Sequence, residues 1–221
     1  MIIKVCGMRD GENIRQVTEL GAGWIGMVFC DKSPRNVTMI PTHAGIIPDR
    51  APDGAAAPLP SSGEAGGGVC NSPKRVGVFF DEMAQNIVTR VVNFKLDLIQ
   101  LNGHESPTLI RNLRATLDPD IRPGIKIIKT INAESGDDMA AYKQYEDCVD
   151  YFLFDTKSWP EAYDGKLPFL LGGDIGPGDA ARVLSFHHPK CIGINLDSRF
   201  ETEPGIKDIS KLKQFCKAIS S

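Results

Sequence analysis

The run RVGVFFDEMAQNIVTRVVNFKLDLIQL, residues 75–101, decides the reading of the whole chain. It opens on an apolar stretch at 75–80 and closes on another at 96–101. Between them Asp81 is placed to cap a helix in which Met83, Ile87 and Val91 recur every four residues. A continuous apolar strand, an amphipathic helix and a second such strand form a right-handed crossover between parallel neighbours.

The same alternation extends in both directions. Further strand candidates lie at 2–7, 24–29, 125–131, 151–155, 168–172 and 191–196. Most are unbroken Val/Ile/Leu/Phe runs, the pattern of parallel strands buried on both faces. Asp10 can cap a helix bearing Ile14, Val17 and Leu20, with Gly21 placed to stop it, and Asp208 one bearing Ile209, Leu212, Phe215 and Ile219. Eight strands with helices between most of them predict a single-domain (β/α)8 barrel over residues 1–221. A doubly wound open sheet is the alternative that periodicity leaves standing.

Two segments break the rhythm. Residues 48–73 are dominated by Gly, Ala, Pro and Ser and have no hydrophobic period, which predicts a flexible surface insertion near the second helix. Residues 156–167 are too few for a normal helix between strands six and seven, so one helical turn or none is expected there.

Charge and composition narrow the function. With 25 Lys+Arg against 28 Asp+Glu there is no basic surplus for nucleic acid. No apolar run approaches the roughly 18 residues of a membrane span. The start, Met1-Ile2-Ile3-Lys4-Val5-Cys6-Gly7, reads as a strand and not a signal peptide, so a cytoplasmic protein is expected. The 6 cysteines and 4 histidines show no metal-ligand spacing, and reduced thiols are the default.

In such a barrel the reacting groups gather at the C-terminal ends of the strands. Read in order, those ends supply Cys6, then Ser33-Pro34-Arg35, Gln100-Leu101-Asn102-Gly103, Asp155, Gly172-Gly173-Asp174 and Asn195-Leu196-Asp197-Ser198. A thiol, an arginine and a carboxylate around one bowl suit proton transfer on an anionic substrate. Taken singly, a strand cysteine is commonly a small buried hydrophobe and a strand-end aspartate a turn former. Strand alternation puts Lys4 on the same face as Cys6, so an inward Cys6 would have Lys4 beneath it.

These residues also form an ordered signature. Lys4-Val5-Cys6-Gly7, Ser33-Pro34-Arg35, Arg75-Val76-Gly77-Val78-Phe79, Gln100-Leu101-Asn102-Gly103, Phe154-Asp155-Thr156 and Pro204-Gly205-Ile206-Lys207-Asp208 resemble, in order over nearly the whole chain, the phosphoribosylanthranilate isomerase family. The resemblance implies a (β/α)8 barrel of tryptophan biosynthesis that performs an Amadori rearrangement of N-(5-phosphoribosyl)anthranilate without metal or organic cofactor. It implies Asp155 as general acid and Cys6 as general base. Chemistry then asks for a poorly solvated Asp155 and for a Cys6 thiol lowered toward neutrality, with Lys4 helping.

Arg35 would take the anthranilate carboxylate through its planar fork. Backbone amides of Gly172, Gly173, Asp197, Ser198 and Arg199, with a hydroxyl from Ser198 or the Arg199 guanidinium, would take the phosphate, with Asp174 turned away or capping the next helix. Asn102 stands where the family usually has His, and Asn195 where it has Asp, with Asp197 about 6.6 Å further along the same face. Both are expected at the substrate. A glycine-rich loop usual after strand six is missing, since Asp155-Thr156-Lys157 runs almost directly into Ser158-Trp159-Pro160. The expected partner is therefore a small phosphosugar-anthranilate substrate, for a monomer or homodimer with no nucleic-acid or membrane partner. A catalytically impaired barrel that binds a phosphorylated metabolite, or another phosphosugar isomerase, are the alternatives.

Overall fold

The computed structural model describes residues 1–38, 40–42, 45–47, 72–132 and 140–220. Eight strands, β1 (Ile2–Val5), β2 (Trp24–Val28), β3 (Lys74–Phe79), β4 (Leu98–Leu101), β5 (Lys126–Ile131), β6 (Tyr151–Phe154), β7 (Phe169–Leu171) and β8 (Cys191–Leu196), close into a barrel. Each pairs in parallel with its neighbours in sequence, and β8 returns to β1. The strands differ from the apolar runs by at most two residues at either end. The open sheet is excluded.

Alternation sorts the apolar residues into two layers. Trp24, Val28, Val76, Val78, Leu98, Ile128, Leu153 and Leu170 fill the barrel with Cys6. Phe79, Ile99, Leu101, Ile127, Phe152, Phe154 and Phe169 face outward against the helices. Both faces are covered, which is why the runs carry no polar alternation. A register shift between Cys191 and Gly193 resets the last strand, so Ile194 and Leu196 join the outer layer.

The helices are α1 (Gly11–Glu19), α2 (Ala84–Phe94), α3 (Pro107–Leu117), α4 (Ala180–Ser185) and α5 (Ile209–Ile219). Asp10 caps α1 by accepting from Asn13 N–H at 2.7 Å, and Asp208 caps α5 by accepting from Lys211 N–H at 3.1 Å. Asp81 does not cap α2, which starts at Ala84 with no side-chain cap. The Asp81 carboxylate instead turns across to the loop after β4 and accepts from His104 N–H. Met83 is accordingly exposed. The helix α3, unmarked by the sequence reading, begins at a Ser106 cap followed by Pro107.

Between β6 and β7 the chain makes only turns, as the spacing predicts. Tyr163 from that segment packs edge-on against Tyr142, Phe154 and Phe169, filling the place a helix would take. The predicted insertion at 48–73 lies, up to residue 71, outside the described residues.

Candidate active site

The floor of the site is built by β1 and β8. Lys4 is wholly buried inside the barrel and donates to Asn195 Oδ1 at 2.6 Å. Gly26 on β2 makes room for the pair above it, since a Cβ there would lie 2.9 Å from Cys6 Sγ and 3.2 Å from Lys4 Nζ. The inward Cys6 with Lys4 beneath it is thus found. Burial pushes the Cys6 thiol up, and the Lys4 charge and hydrogen bond only partly offset that, so the expected fall toward neutrality does not occur. The sulfur's burial, with Asp197 nearby, outweighs the two cations Lys4 and Lys207.

Beyond β2 the chain closes a tight turn that fixes Arg35. Ser33 Oγ accepts from Arg35 N–H at 3.1 Å, Cys30 N–H donates to Asn36 Oδ1 at 3.0 Å, and Val37 N–H returns to Val28 O at 2.9 Å. Arg9 braces the turn from outside by donating to Pro34 O at 3.2 Å. The guanidinium points to the ribbon that follows β8. There Nε donates to Glu201 Oε1 at 2.9 Å and Nη2 to Glu201 Oε2 at 2.5 Å. Lys207 Nζ donates to the same carboxylate at 2.6 Å and lies 3.5 Å from Asp197 Oδ1. Glu201 is held below the ordinary glutamate range: burial raises it, but Arg35 and Lys207 prevail. Gly7, at φ +76, seals this cluster to Cys6, because a Cβ there would lie 2.8 Å from Arg35 Cδ.

The opposite wall is formed by β6 and β7. Asp155 is exposed at the rim, contrary to the poorly solvated acid expected, and its Oδ1 accepts from Gly173 N–H at 2.6 Å. The strand ends one residue earlier, which leaves the side chain beyond the packed layer. Gly172 N–H is spent on the ladder to Phe154 O. Gly173, at φ +80, lies so close to Thr156 that a Cβ would sit 1.9 Å from its carbonyl oxygen. Trp159 Nε1 donates to Gly172 O at 3.2 Å, and the Arg182 guanidinium lies 3.9 Å from the indole centroid. These contacts pin the short segment after β6.

A cavity of about 330 Å³ opens over the ends of β6, β7 and β8; Cys6, Arg35, Asn102 and Gly172 are not in its lining. Asp155, Gly173, Asn195, Asp197 and Ser198 all line it, together with Lys157, Asp174 and Arg199. Asp174 neither turns away nor caps a helix: it lines the cavity and meets Arg199 Nη1 at 3.2 Å. The ion pair stabilises its charge where a phosphate would have repelled it. Asn102 stands at the end of β4, its Oδ1 accepting from Gln100 Nε2 at 2.7 Å and Thr130 Oγ1 at 2.5 Å. Its amide nitrogen therefore remains the donor end.

Glu201 escaped the sequence reading. For Glu201 a signal existed. Glu201-Thr202-Glu203-Pro204-Gly205-Ile206-Lys207 has a turn dipeptide between short runs, and the observed ribbon pairs Glu201 with Lys207. Arg199 was read as a phosphate-end donor, but its pairing with Asp174 left no signal, because that partner lies 25 residues away on another loop.

Comparison with known proteins identifies the family and the fold. The family model described as N-(5'phosphoribosyl)anthranilate (PRA) isomerase matches residues 68–218. The N-(5'-phosphoribosyl)anthranilate isomerase of Parabacteroides distasonis is 38% identical, over 99% of this chain and 93% of that protein. That of Phocaeicola vulgatus is 36% identical, over 97% and 96%. The fold matches a crystal structure of monomers generated from the dimeric phosphoribosylanthranilate isomerase of Thermotoga maritima with a TM-score of 0.74 at 24% identity, covering 100% of this chain and 99% of that one. A further structure, of a phosphoribosyl anthranilate isomerase in complex with reduced 1-(o-carboxyphenylamino)-1-deoxyribulose 5-phosphate, matches equally at 0.74 and 24%, with the same coverage.

Proposed function

The chain belongs to the N-(5'-phosphoribosyl)anthranilate isomerase family, and from that premise we propose that Cys6 is the base and Asp155 the acid of its reaction. The activity is an aldose–ketose isomerisation in tryptophan biosynthesis: N-(5-phosphoribosyl)anthranilate becomes 1-(2-carboxyphenylamino)-1-deoxyribulose 5-phosphate.

The reaction needs one proton delivered and one removed. Asp155 gives its proton to the ribose ring oxygen as the C1–O bond breaks, leaving a Schiff base between C1 and the anthranilate nitrogen. Cys6 takes the C2 proton, and the electron pair moves into the C1–C2 bond to give the enolamine. Tautomerisation to the C2 ketone then places a proton on C1. The observation that supports this division is the link through β8. Asn195 lines the cavity with Asp155 and also holds the lysine beneath Cys6. Cys6 does not itself line that cavity, so Lys4 and Asn195 are what join the base to the space that Asp155 borders. A buried thiol is a sparse but strong base, and Lys4 limits how sparse the thiolate becomes.

Arg35 binds the anthranilate carboxylate beside Cys6, and the rim bearing Ser198, Arg199, Gly173 and Lys157 binds the phosphate. Asn102 donates to the sugar between them. With no glycine-rich loop after β6, side-chain cations at that rim do part of the work that amides would do. The substrate is a small molecule, with no nucleic-acid or membrane partner. The free thiols Cys6, Cys30, Cys148, Cys191 and Cys216 fit a reducing cytoplasm. No helix among the described residues is long and apolar enough to cross a membrane.

The test follows the fluorescence change of the anthranilate group during turnover. Cys6→Ser and Asp155→Asn should each lower kcat by about a thousandfold, within the range of general acid–base catalysis. Retention of activity within tenfold of the parent in either variant refutes that residue's role.

A further inference from the structure

We propose that Glu201 is a positioning residue: it clamps one edge of the Arg35 guanidinium so that the remaining edge is presented to the substrate's carboxylate. This rests on the assignment of Arg35 above and adds to it how the arginine is aimed and which edge it offers.

The geometry is specific. Glu201 takes Nε and Nη2 of Arg35 with both carboxylate oxygens, which uses the lateral edge of the fork. A second carboxylate can then be met only on the terminal edge, where Nη1 and Nη2 each carry a further proton. Glu201 is itself fixed. Its side chain is 6% exposed, Lys207 Nζ donates to it at 2.6 Å from a fully buried side chain, and Gly205 N–H donates to it at 3.3 Å.

Lys207 is anchored in turn by its own backbone. Asn13 Nδ2 donates to Lys207 O at 2.9 Å, and Lys207 N–H donates to Asn13 Oδ1 at 2.8 Å. The chain of restraint runs from α1 through Lys207 and Glu201 to Arg35; none of its members lines the cavity, and Arg35 meets it only through Asp197, whose Oδ1 lies 4.0 Å from Arg35 Nε. Charge explains why Lys207 belongs to it. Glu201 alone would repel a substrate carboxylate; backed by Lys207 it is half of a neutral pair. Arg35, Lys207, Glu201 and Asp197 together sum to zero, so Arg35 is held without its pull on an anion being cancelled by an excess negative charge.

The test needs a variant that removes orientation and leaves net charge alone. Glu201→Met with Lys207→Met does so, and replacement of a buried pair by apolar residues of similar volume is commonly tolerated. Two non-reactive probes are compared: the alcohol obtained by reducing the product's ketone, and the same alcohol with phenyl in place of carboxyphenyl. The ratio of their affinities isolates what the carboxylate contributes.

In the parent the carboxylated probe should bind tighter by about 100-fold, the scale of charge-assisted hydrogen bonds to a fixed partner. In the double variant that ratio should fall by about tenfold or more, with the phenyl probe unchanged within about threefold. KM should rise by about as much as the ratio falls, with kcat altered far less. Should the methionine pair not fold, Glu201→Gln with Lys207→Met supplies the same comparison. A ratio that persists in the double variant overturns the positioning role. So does an equal loss for both probes, which marks a general collapse. If Arg35→Met leaves the ratio intact, the assignment of Arg35 itself fails; if Arg35→Met abolishes the ratio while the double variant keeps it, only the role of Glu201 falls.

Discussion

Arg35 and Arg199 both sit beside the mouth of the barrel and both meet a carboxylate, yet in opposite manner. Arg35 is clamped through two nitrogens to a buried glutamate that a buried lysine backs. Arg199 reaches Asp174 through one nitrogen at 3.2 Å, with 57% and 48% of the two side chains exposed. Breaking a buried, multiply bonded set leaves an uncompensated charge and is strongly unfavourable. An exposed pair is worth about 0–1 kcal/mol and exchanges partners freely. The first arginine is therefore aimed before substrate arrives, and the second is available for exchange. An aryl carboxylate has one geometry to be recognised, whereas a phosphate accepts donors from many directions.

The comparison breaks most directly by removing each arginine in turn. Arg35→Met should lower kcat/KM by about 100-fold, since a pre-aimed fork to a carboxylate is lost. Arg199→Met should lower it by only about threefold to tenfold, because an exposed cation yields little and backbone donors remain. Steady-state kinetics on both variants decides the matter. Equal losses would erase the distinction, and a larger loss at Arg199 would invert it.

The floor between the two ends sharpens the contrast. The Cys6 thiol lies above its ordinary value, pushed up by burial and partly drawn back by Lys4. The base form therefore accumulates only as pH rises, and kcat/KM should climb into the alkaline range. Lys4→Met withdraws the lowering influence, so the climb moves to higher pH and activity at neutral pH falls by about tenfold. Lys4 is buried like the clamp on Arg35, so this effect should hardly change with salt. A pH–rate profile identical to the parent's would remove Lys4 from the mechanism.

What the sequence revealed follows the range of the interactions. The barrel was legible because its cause is local: runs such as 75–80 and 96–101 report a strand buried on both sides wherever they fall. Cys6, Asp155 and Arg35 were legible as strand-end groups within an ordered signature. Their environments were not. The height of the Cys6 thiol depends on how little solvent reaches it, and the exposure of Asp155 on where β6 stops, one residue before it. Asp81 looked like a cap, but a loop 23 residues on claimed its carboxylate. The clamp on Arg35 joins positions 166 residues apart, which no periodicity records.

The smallest effect expected has the least intuitive sign. Asp174 lines the cavity where phosphate is assigned, so as a carboxylate it opposes the incoming dianion and occupies the cation that would greet it. Asp174→Asn removes the repulsion and releases Arg199. The residue sits at φ 65, a conformation that Asn adopts as readily as Asp, so the loop is preserved. An exposed pair of this kind is worth up to about 1 kcal/mol, so KM should fall by about threefold at low ionic strength. Salt screens both the pair and the repulsion, and the advantage should shrink as ionic strength approaches about 0.5 M. The same substitution should not reach the aryl carboxylate, which is assigned to Arg35. Its effect on the affinity ratio of the carboxyphenyl and phenyl probes should be nil, and a change in that ratio would show that the two ends are coupled and not independently built.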